Sequence, residues 1–76
     1  MEDEQVSVPW TEIEGSSQVA AYAYEPGSLY IRFTKGGEYR YKDVGPGKFA
    51  EFLGATSKGK FLASEVKGKY EFERIG

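Results

Sequence analysis

In the stretch Glu38-Tyr39-Arg40-Tyr41-Lys42 charged and aromatic residues strictly alternate. Successive side chains of an extended chain point to opposite faces. Tyr39 and Tyr41 therefore share one face, and Glu38, Arg40 and Lys42 share the other. Lys35-Gly36-Gly37 precedes the stretch and Gly45-Pro46-Gly47 follows it, so turns bound it at both ends. A strand that is apolar on one side and charged on the other requires a sheet with one buried and one wet face. The rest of the chain must supply that sheet and its cover.

Two further alternating runs precede it. Gln18 to Tyr24 places Val19, Ala21 and Ala23 on one face and Ala20, Tyr22 and Tyr24 on the other. The small residues predict that another element, a helix, packs closely against them, which leaves Tyr22 and Tyr24 outward. Glu25-Pro26-Gly27-Ser28 has proline second and glycine third, the pattern of a type II turn. Leu29 to Thr34 returns with Leu29, Ile31 and Phe33 inward and Tyr30, Arg32 and Thr34 outward. Lys35-Gly36-Gly37 then closes a second hairpin, and the three strands form a meander. Ahead of them, Val6, Val8, Trp10 and Ile13 form a loose apolar set interrupted by Pro9, whose missing N–H argues against a central strand. Trp10 is expected to act as a lid across a core edge. Residues 1–15 thus read as an acidic, partly flexible N-terminal arm and residues 16–76 as one folded domain.

After Val44 the period changes. Phe49, Phe52, Leu53 and Thr56 recur at helical spacing behind Pro46, which suits a first helical turn. The pattern predicts a helix over 46–55, broken by Thr56-Ser57-Lys58-Gly59. A second, shorter helical segment carries Phe61, Leu62 and Val66 and ends at Gly68. Lys69 to Ile75 alternates again and reads as a fourth strand at a sheet edge. The expected fold class is α+β: an antiparallel sheet of about four strands, a meander plus the C-terminal strand, packed against one or two short helices. A small half-open barrel is the alternative, favoured by the ten glycines.

Composition removes most catalytic chemistry. The 76 residues include no cysteine and no histidine, hence no thiolate, no imidazole base and neither of the commonest transition-metal ligands. The carboxylates show no metal or catalytic spacing, and Ser57-Lys58-Gly59-Lys60 lacks the glycine-rich frame of a phosphate-binding loop. Neither an enzyme nor a cofactor is expected. No run approaches the roughly 20 apolar residues of a membrane span, so a cytoplasmic protein with no membrane partner is expected.

The net charge of -2 conceals a division. Residues 1–31 carry six acids and no lysine or arginine; residues 32–76 carry all ten basic residues with the other six acids. A basic face could contact phosphates while an exposed tyrosine stacks on a base. The candidates are Arg32, Arg40, Lys42, Lys58, Lys60, Lys67 and Lys69, with Tyr30 as stacker and Tyr22 or Tyr24 as further choices. The partner on this reading is RNA, either tRNA or single-stranded. The competing partner is a protein, met by an exposed apolar patch at Trp10 or Tyr24.

The ordered motifs resemble those of the KTSC domain family, named for the C-terminus of lysyl-tRNA synthetase, where some members are fused. The resemblance runs over residues 16–75. It rests on Ser16-Ser17-Gln18-Val19 with Tyr22, on Phe33 before the glycine turn, and on Tyr39-Arg40-Tyr41. It continues through Val44 and Pro46 with Gly45 between them, Phe49, Leu53, Ser57-Lys58-Gly59-Lys60-Phe61, and Val66-Lys67 with Tyr70. The chain departs from the pattern at Ala63, where an asparagine is common, and at Ala23-Tyr24-Glu25. The resemblance implies a small non-catalytic domain of uncharacterised function. The synthetase fusion points to RNA binding, and the free-standing members to a phage-derived accessory or protein-interaction module.

Overall fold

The computed structural model describes residues 8–76. Five strands form one antiparallel sheet in sequence order: β1 (Thr11–Glu12), β2 (Val19–Glu25), β3 (Gly27–Phe33), β4 (Glu38–Val44) and β5 (Phe72–Arg74). Between β4 and β5 the chain leaves the sheet as helix α1 (Pro46–Gly54), helix α2 (Lys58–Phe61) and a π-helical turn, Leu62–Val66. The α+β meander with a C-terminal edge strand is therefore the fold. The sheet stays open, with β1 and β5 on opposite edges. The strand beyond the four expected is β1, whose two residues are too short to leave a periodic signal. Of the N-terminal arm expected over residues 1–15, residues 1–7 lie outside the described residues, and Thr11–Glu12 form β1 against β2.

The turns have the chemistry the sequence promised. Pro26-Gly27 joins β2 to β3, and Gly27 takes φ +85°, as the third position of a type II turn requires. The β3–β4 turn carries Gly36 and Gly37, both at positive φ. A side chain at Gly37 would also meet the Tyr39 ring at 3.1 Å.

The core lies between the sheet and the helices. Leu29, Ile31, Tyr41 and Val44 from the sheet meet Phe52, Leu62 and Val66, all buried. Two irregularities set which residues reach it. Register shifts between Val19 and Ala21, so Val19 joins the core while Ala21 and Ala23 face the other way. Asp43 is the extra residue where Gly27 pairs with Val44 but Ser28 with Lys42; it adopts φ +60°.

The first irregularity corrects the reading of β2. The helices pack on the tyrosines, not on the alanines. Tyr22 and Tyr24 lie in register with Ile31 and Leu29, and both meet Phe49 of α1. The alanines are buried on the opposite face, where their cross-strand partners are Tyr30 and Arg32 and Trp10 packs against both. Strand β2 is thus covered on both sides, and alternation alone could not say which cover was the helix. Tyr22 and Tyr24 are not free to stack on a ligand. Trp10 covers the outer face of the sheet, against Tyr30 and Arg32, rather than a core edge.

The second helical segment starts earlier than expected. Ser57 caps α2 by accepting a hydrogen bond from the Lys60 N–H, so Lys58 and Gly59 open the helix rather than break it. Gly59 sits against the Gln18 side chain, which occupies the space a Cβ would need. Ser16 ties down the other side of this junction by accepting from the Gln18 and Val19 N–H groups. The double serine and the Ser-x-Gly step are therefore parts of one packing junction.

Candidate functional site

The helix layer does not cover the whole sheet. Helix α1 lies over β2, and the π-helical turn sets Leu62 and Val66 over the centre. The Lys67 N–H bonds the Leu62 carbonyl at 2.8 Å, the five-residue closure that defines this turn, and Gly68 at φ +82° ends it. Beyond it the aromatic side chains of β3, β4 and β5 border an open cleft of about 370 Å³. Its walls are Phe33, Tyr39, Tyr41 and Phe72, with Lys67 at one side and Gly36 and Gly68 at the rim. Phe33 and Tyr39 meet edge to face at 5.6 Å, and Phe72 lies 5.8 Å from Tyr39 and 5.9 Å from Tyr41. Phe72 remains 56% exposed, the most exposed of the large apolar side chains described.

Cations sit over these rings. The Lys67 ammonium lies 5.2 Å from the Phe33 centroid and the Arg74 guanidinium 5.9 Å from that of Tyr39. Both are within the range of a cation–π contact. Two further hollows adjoin the cleft. One, of about 450 Å³, shares the Phe33 and Lys67 walls and extends to Lys35. The other, of about 470 Å³, shares Gly68 and Phe72 and carries Lys42, Lys69 and Glu71. The three adjoining hollows, together termed the trough, are lined by Lys35, Lys67, Lys69 and Lys42, with Glu71 the single acid in their walls.

The eight residues singled out from sequence fall in four places. Lys42, Lys67 and Lys69 lie on the trough. Tyr30, Arg32 and Arg40 lie together on the outer face of the sheet. There Arg32 pairs with Glu38 at 3.0 Å and covers Trp10 at 4.6 Å, and Arg40 pairs with Glu73 at 3.0 Å and with Ser28. The Tyr30 hydroxyl donates to Glu25. Each arginine thus faces a carboxylate. Lys58 donates to the Leu53 and Ala55 carbonyls at the end of α1, so it caps that helix. Lys60 is exposed beside it, along a polar groove between Ser16–Gln18 and the start of α2.

Sequence reading missed Phe33, Lys35, Tyr39, Tyr41, Phe72 and Arg74 as site residues. The signal was present in Phe72 and Arg74, two apart on an edge strand, but Phe33 joins them only through tertiary packing. The charge on Lys48 serves the fold instead. It bridges Glu51 and Glu65, linking α1 to the π-helical turn, and those hydrogen bonds raise its pKa. No group of three or more metal-ligating side chains occurs among the described residues, and no helix there is long and apolar enough to cross a membrane.

Known proteins share this architecture. A family model for the KTSC domain matches residues 15–70. A protein of Tsukamurella paurometabola is 39% identical over 57 residues, covering 72% of this chain and 85% of that one. The crystal structure of a KTSC domain protein from Yersinia pestis superposes with a TM-score of 0.84 at 30% identity, over 92% of this chain and all of that one. The double serine, the Tyr-x-Tyr strand and the Ser-x-Gly helix start all lie within the matched span, and the chain belongs to the KTSC domain family.

Proposed function

We propose that this domain is a non-catalytic module that binds single-stranded RNA along the trough. The observation that carries the reading is a cleft with four aromatic walls, adjoined by two further hollows, with four lysines and a single acid along the three. Single-stranded nucleic acid is held in just these two ways, by stacking of bases on aromatic rings and by cations that track the phosphates. Phe72 offers the exposed ring; Lys67 and Lys69 flank it on one side and Lys42 on another. A cytoplasmic location is part of the same reading, since that is where such RNA is met.

Binding of a fluorescent RNA oligomer of roughly ten nucleotides, followed by anisotropy at several salt concentrations, tests it. With four phosphate contacts the logarithm of affinity should fall with the logarithm of salt at a slope of about -3. Lys67→Glu with Lys69→Glu should weaken binding by an order of magnitude or more. Lys60→Glu, off the trough, should change it about twofold or less. Absence of binding at low salt, or an equal loss with Lys60→Glu, overturns the reading. A protein partner for the same aromatic patch is the outcome in which RNA fails to bind.

A further inference from the structure

Between Glu12 and Val8 the chain crosses the outer face of the sheet. Thr11 and Glu12 pair with β2 at one edge. Trp10 lies over Tyr30 and Arg32 of β3. Val8 lines a hollow of about 480 Å³ with Glu38 and Arg40 of β4, Glu73 of β5 and Ile75. Followed towards its start, the chain thus runs from the β1 edge to the β5 edge. Phe72 and Glu73, adjacent in β5, wall the cleft on one face and this hollow on the other. Residues 1–7 continue from Val8 at that same edge.

Charge distinguishes the two faces there. On the outer one, Arg32 and Arg40 already pair with Glu38 and Glu73. The remaining ion pairs among the described residues engage Lys48, so the four lysines of the trough have no carboxylate partner among them. Three consecutive carboxylates, Glu2, Asp3 and Glu4, stand four to six positions before Val8. An extended chain covers that separation in about 13 to 20 Å. The side-chain layers on the two faces of a sheet lie about 10 Å apart. No strand flanks β5 on its far side among the described residues, so the way round is open.

We propose that Glu2-Asp3-Glu4 passes round the β5 edge and docks in the trough against Lys67 and Lys69, in competition with nucleic acid. The docking itself stands on the chain path and the charges; what it displaces rests on the nucleic-acid reading above. The segment presents carboxylates where RNA presents phosphates, so the two occupants are mutually exclusive. The domain is then self-shielded until a strand of higher charge replaces its own acidic start.

Two measurements on the full chain test this. The protein has no cysteine, so Gln5→Cys accepts a nitroxide label at one place. At low salt the label should broaden the amide resonances of Lys67 and Lys69 and spare those of residues 58–60. Combining it with Glu2→Gln, Asp3→Asn and Glu4→Gln should relieve the broadening, as should 0.5 M salt, roughly three times the physiological strength at which screening is already strong. In the unlabelled protein the three neutral substitutions should tighten RNA binding about threefold or more at low salt. That factor follows from a tethered competitor at millimolar effective concentration with submillimolar affinity. Broadening that ignores the substitutions overturns the docking, and so does tighter RNA binding without any broadening, which is plain charge repulsion. Equal RNA affinity with and without the acids overturns the competition. Charge-dependent broadening with no RNA binding at all keeps the docking and overturns the nucleic-acid reading.

Discussion

The Tyr24 ring lies flat against that of Phe49, with 4.3 Å between centroids and 6° between planes, and its hydroxyl donates to the Val44 carbonyl. One residue of β2 thus holds α1 through its ring and the end of β4 through its hydroxyl. Tyr24→Phe should cost about 1 kcal/mol, because the Val44 carbonyl loses its donor while the stack is kept. Tyr24→Ala should cost roughly 3 kcal/mol or more. Urea denaturation of both variants checks the split between stack and hydrogen bond. Equal losses would show that the hydroxyl carries the whole effect.

Asp43 holds φ +60° at the irregularity between β3 and β4. Aspartate tolerates this region better than most residues, and glycine better still. Asp43→Gly should therefore match or exceed the parent in stability, whereas Asp43→Val should lose about 1 to 3 kcal/mol. Chemical denaturation midpoints give both values. A valine variant as stable as the parent would show that the bend is not imposed at this position.

Arg40 does more than face solvent. It donates to Ser28, which is only 6% exposed, and pairs with Glu73 of the edge strand. Arg40→Ala should cost about 1 kcal/mol, mostly through Ser28 left without its partner. Arg40→Ala with Ser28→Ala should recover part of it, and a double-mutant cycle measures the coupling.

Two groups make stability fall in alkali. Lys48 and Tyr41 both have a pKa raised in the folded protein, the first by its bonds to Glu51 and Glu65, the second by burial. The folded state therefore holds protons more tightly than the unfolded state does. Their contribution is fully present below the unfolded values, near 10 for both types, and is lost as pH rises through the folded ones. Melting temperature followed from about pH 8 to 11 should decline, and more gently in Lys48→Met and in Tyr41→Phe. An unchanged slope in both variants would assign the decline to other groups.

How much was legible depends on how local each cause is. Turn residues act within four positions, so Pro26-Gly27 and the glycines before Glu38 announced their hairpins. The Tyr39–Tyr41 alternation announced β4, and the change of period after Val44 announced α1. The face of β2 was not legible. Alanines and tyrosines alternate there, and a sheet strand covered on both sides gives the same pattern whichever side holds the helix. The basic residues were visible as a set, but their distribution was not. Pairing of Arg32 with Glu38 and Arg40 with Glu73, and capping by Lys58, depend on how strands and helices are brought side by side.

The sequence by itself therefore determined four of the five strands, the hairpin turns and the existence of two helical segments, because each is written in short-range spacing, and the family through the order of its motifs. Only the tertiary structure decided the site. Phe33, Tyr39, Tyr41, Lys67 and Phe72 come from three strands and the residue after the π-helical turn, and they meet because the helices stop short of the β5 edge. That shortfall is a property of the packed layers. No local pattern encodes it, and it leaves a buried Tyr41 hydroxyl beside an open aromatic cleft.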